Sequence, residues 1–332
     1  MVEQIIHITN PSEVEPIRFA EGLSSLDPAS WTRHRPDTHL LLVRDGICVG
    51  RCSVWTTETP RLNDTPVGVV GHYATIDVAA GAALLRHVDS VVAQSGLSTV
   101  VGPMDGNTWR RYRFITRRGD QPAFFLEPDN PDDWPGHFEA AGFTPLSTYT
   151  SALNKDLTVT DPRVPPALKR LEAEGVRIRS IDLAHYEREL IAVHELSIAA
   201  FSENFLYTPI GPEEFVATYA PLKKFIRPEL VLLAERDGKL VGFMFGVPDV
   251  LEAQRGLPPT TAIAKSMAVR PGRTGAGLGS VLMDLFQQAA RQAGFRRVIH
   301  ALMHEQNRSV NISGRFGKPM RHYTLYAKVV TS

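Results

Sequence analysis

An internal repeat constrains the fold of this chain more than any other feature. Residues 44 to 50 read Arg-Asp-Gly-Ile-Cys-Val-Gly, and residues 236 to 242 read Arg-Asp-Gly-Lys-Leu-Val-Gly. Each stretch follows an apolar run, and an Asp-Gly pair in this setting predicts a β-hairpin. A strand, an amphipathic helix, a glycine and another strand then follow in the same order in both halves. The sequence therefore predicts two copies of one α/β unit.

The segment between the copies has the composition of a linker. Asp156 to Pro166 contains an Asp-Pro pair and a Pro-Pro pair, which favour turns. A length of 332 residues also suits two domains better than one. We predict domains at 1–160 and 161–332. Each is expected to be α/β of the α+β kind, with a mixed, mostly antiparallel twisted sheet flanked by helices.

Charge and composition narrow the range of partners. Lys plus Arg and Asp plus Glu are equal at 36 each, so no overall field favours nucleic acid or a membrane surface. The sequence has no apolar run near the length of a membrane span and no signal-peptide pattern, so we expect a soluble, cytoplasmic protein. Cys48 and Cys52 are expected to be reduced thiols, and no metal-ligand spacing is present.

The two copies differ where the second gains a glycine-rich loop. The interval from Gly242 to Gly294 is six residues longer than the interval from Gly50 to Gly96. The longer interval contains Gly275-Ala276-Gly277-Leu278-Gly279, followed at once by a helix with one apolar face. Glycines before a helix allow unpaired N–H groups to close around a phosphate, and the helix N-terminus adds partial positive charge. The loop therefore predicts a pyrophosphate site.

Two observations limit this interpretation. In the first copy the corresponding turn, residues 76 to 81, has one glycine and the acidic Asp77, so that copy is not expected to bind a phosphate. Glycine-rich turns also serve ordinary packing between a strand and a helix. A dinucleotide-binding fold is less consistent with the hairpin-built sheet, and no P-loop lysine follows the glycines.

Residues 269 to 279 are similar to the pyrophosphate motif of the GNAT superfamily of acyl-coenzyme A N-acyltransferases. Thr274 stands where the family has Arg or Gln, and Asn307 resembles the asparagine at the start of its last helix. The resemblance covers about residues 170 to 330, with the first half as a degenerate copy that lacks the loop. It implies acetyl-CoA as cofactor, bound by Met267, Ala268, Val269, Arg273, Thr274, Gly275, Ala276, Gly277, Leu278, Gly279, Ser280 and Asn307.

The activity that this resemblance implies is N-acetyl transfer. A primary amine of a small molecule or peptide would attack the thioester of acetyl-CoA directly, in a protein that is a monomer or homodimer. Two other interpretations stay open at this stage. One is a non-catalytic acyl-CoA sensor or scaffold, and the other is an aminoacyl-tRNA-dependent transferase, which the neutral charge disfavours.

The catalytic groups are harder to assign from the sequence. Many family members use a tyrosine as the acid for the leaving thiolate, and here that position is Gly314. Tyr323 and Tyr326 in the last strand are the substitutes, although strand tyrosines are often packing residues. The base is expected among Asp249, Glu203, His304 and Glu305, each of which is also typical of a cap, a turn or a solvated surface.

The acceptor site is expected to draw on two aromatic segments. The first, in the second half, contributes Phe201, Asn204, Phe205 and Tyr207, although aromatic residues at this spacing also form ordinary cores. The second, in the first half, contributes Trp109, Arg110 and Tyr112, which could form a basic and aromatic lip over the active half. A solvated loop or ion pairs between the domains explain the second segment equally well.

Overall fold

The computed structural model describes residues 2–272 and 275–330, and the predicted site residues Arg273 and Thr274 lie outside the described residues. Its strands are β1 (Glu3–Ile8), β2 (Arg18–Phe19), β3 (Thr38–Arg44), β4 (Ile47–Trp55), β5 (Arg61–Leu62), β6 (Thr65–Pro66), β7 (Gly68–Thr75), β8 (Thr99–Gly102), β9 (Phe114–Arg117), β10 (Thr144–Asn154), β11 (Arg177–Ser180), β12 (Val231–Arg236), β13 (Lys239–Pro248), β14 (Thr261–Val269), β15 (Arg297–His304) and β16 (Lys318–Val329).

The helices are α1 (Pro28–His34), α2 (Val78–Gln94), α3 (Trp134–Ala140), α4 (Val164–Ala173), α5 (Tyr186–Phe201), α6 (Pro212–Tyr219), α7 (Val250–Gln254), α8 (Leu278–Gln292) and α9 (Arg308–Ser313). Short 3₁₀ turns occupy Pro11–Val14, Leu183–His185, Ala220–Phe225 and Pro228–Leu230. Among the described residues, no helix combines the length and the apolar character needed to cross a membrane.

Both predicted hairpins are present, and their turns have the backbone that the Asp-Gly pair favours. Strands β3 and β4 pair antiparallel, as do β12 and β13. Asp45 and Gly46 have φ angles of +46° and +82°, and Asp237 and Gly238 have +51° and +70°. Two consecutive positive φ angles match the right-handed twist of the strands, which explains why the same dipeptide occurs in both copies.

One large sheet joins the two halves of the chain. Its strand order is β1-β3-β4-β7-β8-β16-β10-β15-β14-β13-β12-β11, and neighbours on this path are antiparallel except for the parallel pairs β7/β8 and β14/β15. This confirms the mixed, mostly antiparallel sheet. The last strand of each half is exchanged, because β10 pairs with β15 of the second half and β16 pairs with β8 of the first. The boundary near residue 160 stays a prediction.

The helices cover both faces of this sheet. On one face α2 packs on the first half and α8 on the second; on the other face α1, α5 and α6 pack, with α5 and α6 over the second half. We name this second face the α5–α6 face. The predicted apolar side of α8 is confirmed, because Leu278, Val281, Leu282 and Phe286 are fully buried.

Close contact between α8 and the sheet requires glycine on β13. A Cβ added at Gly246 would lie 2.1 Å from Cε2 of Phe286 and 3.0 Å from the carbonyl oxygen of Ile263. We therefore expect Gly246→Ala to lower the free energy of unfolding by at least about 1–3 kcal/mol, because the core is overpacked. Gly136→Ala is the control: no atom lies within 4 Å of its added Cβ. This helical substitution should raise stability by about 0.5–1 kcal/mol. Equal unfolding midpoints for the two variants in denaturant would contradict this account.

Candidate active site

The central feature of the second half is a gap between two parallel strands. Strands β14 and β15 pair with each other from Thr261–Arg297 to Ala264–His300, and beyond this point they no longer pair with each other. The first four residues of β14 are buried, whereas Lys265, Ser266 and Met267 are partly exposed. Alternate residues of a strand direct their N–H and C=O groups to opposite edges, so unpaired backbone groups of β14 line this gap. The gap lies where the family resemblance implies the thioester.

A β-bulge shapes the same part of β14. The pairing with β13 passes from Phe245–Ser266 to Gly246–Ala264 and leaves Lys265 without a register partner. On the other side of the gap, Leu302 of β15 has a φ angle of +61°, which is uncommon for a branched side chain. Bulges and unusual φ angles recur near active sites because they redirect side chains and backbone groups.

The glycine-rich loop leads from β14 into α8. Gly277 has a φ angle of +84° and is the N-cap residue of α8, with no side chain capping the helix. Ala276 and Gly277 are exposed, so side chains do not cover this turn. A Cβ at Gly275 would lie 2.6 Å from Cγ1 of Val269, so only glycine fits there without displacement. Open N–H groups at a helix N-terminus fit a diphosphate.

The remaining predicted cofactor residues have different environments. Leu278 is fully buried in the core, so only its backbone is available to a ligand. A Cβ at Gly279 would lie 3.5 Å from both Met267 and Ile312, so this first turn of α8 adjoins the gap. Asn307 caps α9 by accepting a hydrogen bond from the N–H of Ser309, at 3.1 Å.

Two arginines beside the loop were missed by the sequence analysis. Arg170 of α4 donates a hydrogen bond to the carbonyl oxygen of Ala276. Arg315 donates to Oγ of Ser280 at 3.1 Å and to Oδ2 of Asp161 at 2.7 Å. Both add positive charge at the N-terminus of α8. No local sequence signal identifies them, because they reach the loop from α4 and from the segment after α9.

An apolar cavity opens on the α5–α6 face beside the gap. We name it the apolar chamber; it is narrow, with a volume of about 30 Å³. It is lined by Trp109, Ile181, Leu190, Val193, Ser197, Phe201, Phe215, Tyr219, Val231, Phe243, Phe245 and Ser266. Since Ser266 also borders the gap, the chamber and the gap are adjacent.

The first half supplies one wall of the chamber. The ring of Trp109 lies 6.1 Å from that of Phe201 and 5.7 Å from that of Phe215, and its Nε1 donates to the carbonyl oxygen of Thr208 at 2.8 Å. The neighbouring Arg110 forms an ion pair of 2.6 Å with Glu214 of α6. The segment around Trp109 thus faces the second half, and its Arg110 forms an ion pair between the halves, as the alternative interpretation describes.

The other predicted acceptor residues do not line the chamber. Phe205 lies 5.6 Å from the ring of His304, and Tyr207 lies 6.0 Å from Trp109 with a buried hydroxyl that has no partner among the described residues. Asn204 is exposed. Tyr112 borders a second cavity, in the first half.

Neither strand tyrosine has a free hydroxyl at the gap. Tyr326 belongs to the core of the first half, on the opposite face of the sheet, and donates to Glu139 at 3.1 Å. Tyr323 is fully buried and donates to Glu127, with Oγ of Ser151 at 2.9 Å. Burial and the neighbouring carboxylates raise the pKa of both phenols. These placements argue against either tyrosine as the acid.

The four predicted bases are occupied or exposed. Asp249 caps α7 and accepts from the N–H groups of Phe125 and Leu251, at 2.9 and 3.2 Å. Glu203 and Glu305 are exposed. His304 uses both ring nitrogens: Nδ1 accepts from the N–H of Gln306 at 3.1 Å, and Nε2 contacts Oγ of Ser147 at 2.8 Å. Asp249 and His304 are thus engaged in local hydrogen bonds, and Glu203 and Glu305 lie at the surface.

Lys265, in the bulged part of β14 that borders the gap, is a basic residue that the sequence analysis missed. Its Nζ donates to the carbonyl oxygen of Leu126 at 3.0 Å. Burial, together with the positive charge of Arg113, lowers the pKa of this amine to about 7, against the opposing influence of Glu127. A large fraction of Lys265 is therefore uncharged near neutral pH. A lysine in an apolar strand carries no sequence signal for this shift, which depends on segments distant in the chain.

The separating parallel strands, the glycine-rich loop and the helix N-terminus have the arrangement that the sequence resemblance implies for an acyl-CoA-dependent transferase. Residues 191–317 match the family model described as the acetyltransferase (GNAT) family. The match lies within the second half, around the gap and the glycine-rich loop, so this half resembles a GNAT acetyltransferase domain.

Two curated proteins resemble most of the chain. Protein YghO of Escherichia coli is 25% identical over 292 residues, covering 78% of this chain and 74% of that protein. A bacterial ceramide synthase of Caulobacter vibrioides is 26% identical over 256 residues, covering 75% of this chain and 66% of that protein. The matched region thus spans about two thirds to three quarters of these relatives.

Solved structures share the fold over nearly the whole chain. A probable N-acyltransferase from Enterococcus faecalis superposes with a TM-score of 0.59 at 8% identity, covering 99% of this chain and 73% of that one. A tandem GNAT protein from the clavulanic acid biosynthesis pathway has a TM-score of 0.51 at 14% identity, covering 100% and 99%. The paired arrangement of two GNAT-like units is therefore a known fold.

Proposed function

We propose that this protein is an acyl-CoA-dependent N-acyltransferase whose acceptor is a primary amine attached to an apolar body. The observation that carries this proposal is the apolar chamber beside the gap between β14 and β15. Aliphatic and aromatic side chains dominate its lining, and Ser197, Tyr219 and Ser266 add hydroxyl groups. Such a surface favours a hydrocarbon or aromatic substrate over a polar one, since burial of apolar area is favourable.

The cofactor would be held by the open loop and the residues beside it. The N–H groups of residues 275 to 279 would bind the diphosphate, with Arg170 and Arg315 adding charge, and β14 would border the pantetheine arm. The bound thioester supplies an electrophilic carbonyl carbon. Acetyl-CoA is the donor we propose, and the resemblance to a protein named ceramide synthase makes longer acyl-CoAs the first alternatives to test.

In the proposed reaction the acceptor nitrogen forms a bond to the thioester carbonyl carbon, and the carbon–sulfur bond breaks to release coenzyme A. The proton lost by the amine passes to the uncharged Nζ of Lys265. Backbone N–H groups of β14, including Met267 or Ala268, would stabilise the developing oxyanion. A thiolate leaves readily, so the glycine at position 314 does not prevent the reaction.

The experiment that tests this function measures release of coenzyme A. Acetyl-, octanoyl- and palmitoyl-CoA are each combined with three amines: a long-chain amino alcohol, a phenylalkylamine and spermidine. We expect the two apolar amines to exceed spermidine in kcat/KM by about tenfold or more, because each buried methylene contributes about 0.8 kcal/mol. Equal rates with all three amines would contradict an apolar acceptor.

Trp109 provides a sharper test, because it comes from the other half of the chain. Trp109→Ala should lower kcat/KM for apolar amines by about tenfold or more while coenzyme A binding is retained, since it removes one wall of the chamber. Trp109→Phe is the matched control and should keep most of the activity. Unchanged kinetics in the alanine variant would place the acceptor elsewhere.

A non-catalytic acyl-CoA sensor is the second candidate. The observation that favours it is Gly314, which replaces the usual acid and here ends α9. Saturable binding of acetyl-CoA without release of coenzyme A for any amine would support the sensor. We further propose that the protein acts in the cytoplasm as a monomer or homodimer, with 1–160 as the degenerate unit and 161–332 as the catalytic one.

A further inference from the structure

The first half contains a cavity at the position that corresponds to the apolar chamber. Strands β7 and β8 are parallel and pair only at Gly68–Val100 and Val69–Val101 before they separate, as β14 and β15 do. A bulge interrupts the pairing of β4 with β7 near His72, whose φ angle is +46°. The cavity has a volume of about 190 Å³, which is enough for a molecule of several non-hydrogen atoms.

The lining of this cavity differs in chemistry from the chamber. When the two hairpins are aligned, Arg51 corresponds to Phe243 and Ser53 to Phe245. We name the cavity of the first half the polar cavity. It is lined by Leu26, Ser30, His34, Arg51, His72, Tyr73, Pro103, Asp105, Arg111, Tyr112, Arg113, Phe114 and Trp134. The degenerate copy has therefore retained a cavity but replaced its apolar wall with polar and cationic groups.

Positive charge in the polar cavity exceeds negative charge. Arg51, Arg111 and Arg113 face one carboxylate, that of Asp105. Among the described residues, no carboxylate oxygen lies within 4.0 Å of a guanidinium nitrogen of these three arginines. Arg51 instead donates to the carbonyl oxygens of Ser24 and His72, at 2.7 and 2.5 Å. Arg51 is partly buried and Arg113 is buried, and positive charge at such positions is costly unless an anion compensates it.

Arg113 is the most unusual of the three arginines. It is 5% exposed, and its Nε is buried without a partner among the described residues. Its guanidinium lies between the rings of Tyr112 and Tyr149, 4.0 and 4.1 Å from their centres, and donates to the Tyr112 hydroxyl at 2.9 Å. Its φ angle of +66° is strained for a residue with a side chain. The guanidinium of Arg113 is thus held in place by two rings and one hydrogen bond, while its Nε–H donor has no acceptor among the described residues.

The histidines of the cavity are uncharged. His34 Nδ1 lies 2.8 Å from His72 Nε2, and His72 Nδ1 lies 2.8 Å from Oγ of Ser53. Burial, with the charges of nearby arginines, lowers the pKa of both imidazoles to about 3. Together with Asp105 they could ligate a metal ion, since the three ligand atoms lie within 4.8 Å of one another. The surrounding guanidinium groups, however, oppose a divalent cation.

We propose that the polar cavity binds a small anion that carries a carboxylate or a phosphate group. Arg113 and Arg111 supply the charge, and the guanidinium geometry suits both oxyanions. The cavity lies in the first half, apart from the loop that would bind acyl-CoA, and Arg113 lies between this cavity and Lys265 at the gap. Binding of an anion without an acyl donor can be tested independently of the proposed reaction.

The test is calorimetric titration of the full chain, without acyl donor, in a chloride buffer of low ionic strength. Inorganic phosphate and glutarate are titrated separately, which distinguishes a phosphate ligand from a carboxylate ligand. We expect one of them to bind saturably at one site per chain. Arg113→Met should weaken that binding by at least about tenfold, and Arg111→Gln, at an exposed position, by about threefold. Arg117→Gln, an exposed arginine outside the cavity, should leave it unchanged.

Three results would overturn the proposal. The first is that neither anion binds the wild-type chain at concentrations up to about 10 mM, which corresponds to a negligible affinity. The second is binding that Arg113→Met, or Arg111→Gln if the first variant misfolds, does not weaken. The third is tight binding of Zn²⁺ that His34→Ala abolishes, which would make the cavity a metal site.

Discussion

Ala276→Glu is expected to weaken binding of coenzyme A by about 30-fold or more, or about 2 kcal/mol, after allowance for solvent screening. Ala276 is exposed in the turn before α8, so a glutamate there requires no repacking. Its carboxylate would lie beside the diphosphate and repel it. A negative charge at a helix N-terminus also stabilises the helix, so the fold should be retained. Isothermal titration with coenzyme A measures the change.

Two matched variants serve as controls. One distinguishes the effect of the added charge from that of the added size, and the other tests whether coenzyme A binds in the first or the second half of the chain. Ala276→Gln has nearly the same shape without charge and should bind coenzyme A almost normally. Ala79→Glu places the same carboxylate at an exposed position in the first turn of α2, in the degenerate copy. It should have no effect. A loss of affinity in Ala79→Glu, with normal binding in Ala276→Glu, would place the cofactor in the first half and refute the proposed site.

Lys265→Met is expected to lower kcat by about 10²- to 10⁴-fold, the usual contribution of a general base. Methionine has a similar length and suits the partly buried strand, so the fold and coenzyme A affinity should be retained. The base acts in its uncharged form. In the wild type, kcat should therefore rise as the pH increases through about 7 and then level off, because the pKa of Lys265 is lowered to about 7.

Two further lysine variants test whether this effect belongs to the base. Lys265→Arg keeps the charge but cannot lose a proton near neutral pH, so it should be as inactive as the methionine variant. Lys239→Met removes an exposed lysine at the start of β13 and should leave both kcat and the pH profile unchanged. A wild-type profile that persists in Lys265→Met, with the same midpoint near pH 7, would show that another group accepts the proton.

Much of the local structure could be predicted from the sequence. The two Asp-Gly hairpins, the apolar face of α8 and the turn at Gly277 all depend on residues that are neighbours in the chain. Asn307 was expected at the start of the last helix, and it caps α9. These features could be predicted because turn φ angles, caps and helical periodicity are set by short-range sterics and hydrogen bonds.

The sequence did not predict in the same way which strands and helices lie next to these elements in the fold. The alternation of a strand specifies which face is buried but not which strand lies beside it, so the exchange of β10 and β16 left no signal. The same limit applies to the acceptor site, where Trp109 enters a chamber built by α5 and α6. Tyr326 was expected at the active site because it lies in the last strand, but its side chain faces the core of the other half.

The sequence by itself determined that this chain has two related units and that only the second carries an open, glycine-rich turn before a helix. Tertiary structure decided which groups act there, because it placed Arg170 and Arg315 beside the turn and brought Arg113 close enough to alter the protonation of Lys265. Backbone conformation is governed by adjacent residues. Burial and electrostatic fields depend on segments that are far apart in the chain, and only folding brings those segments together.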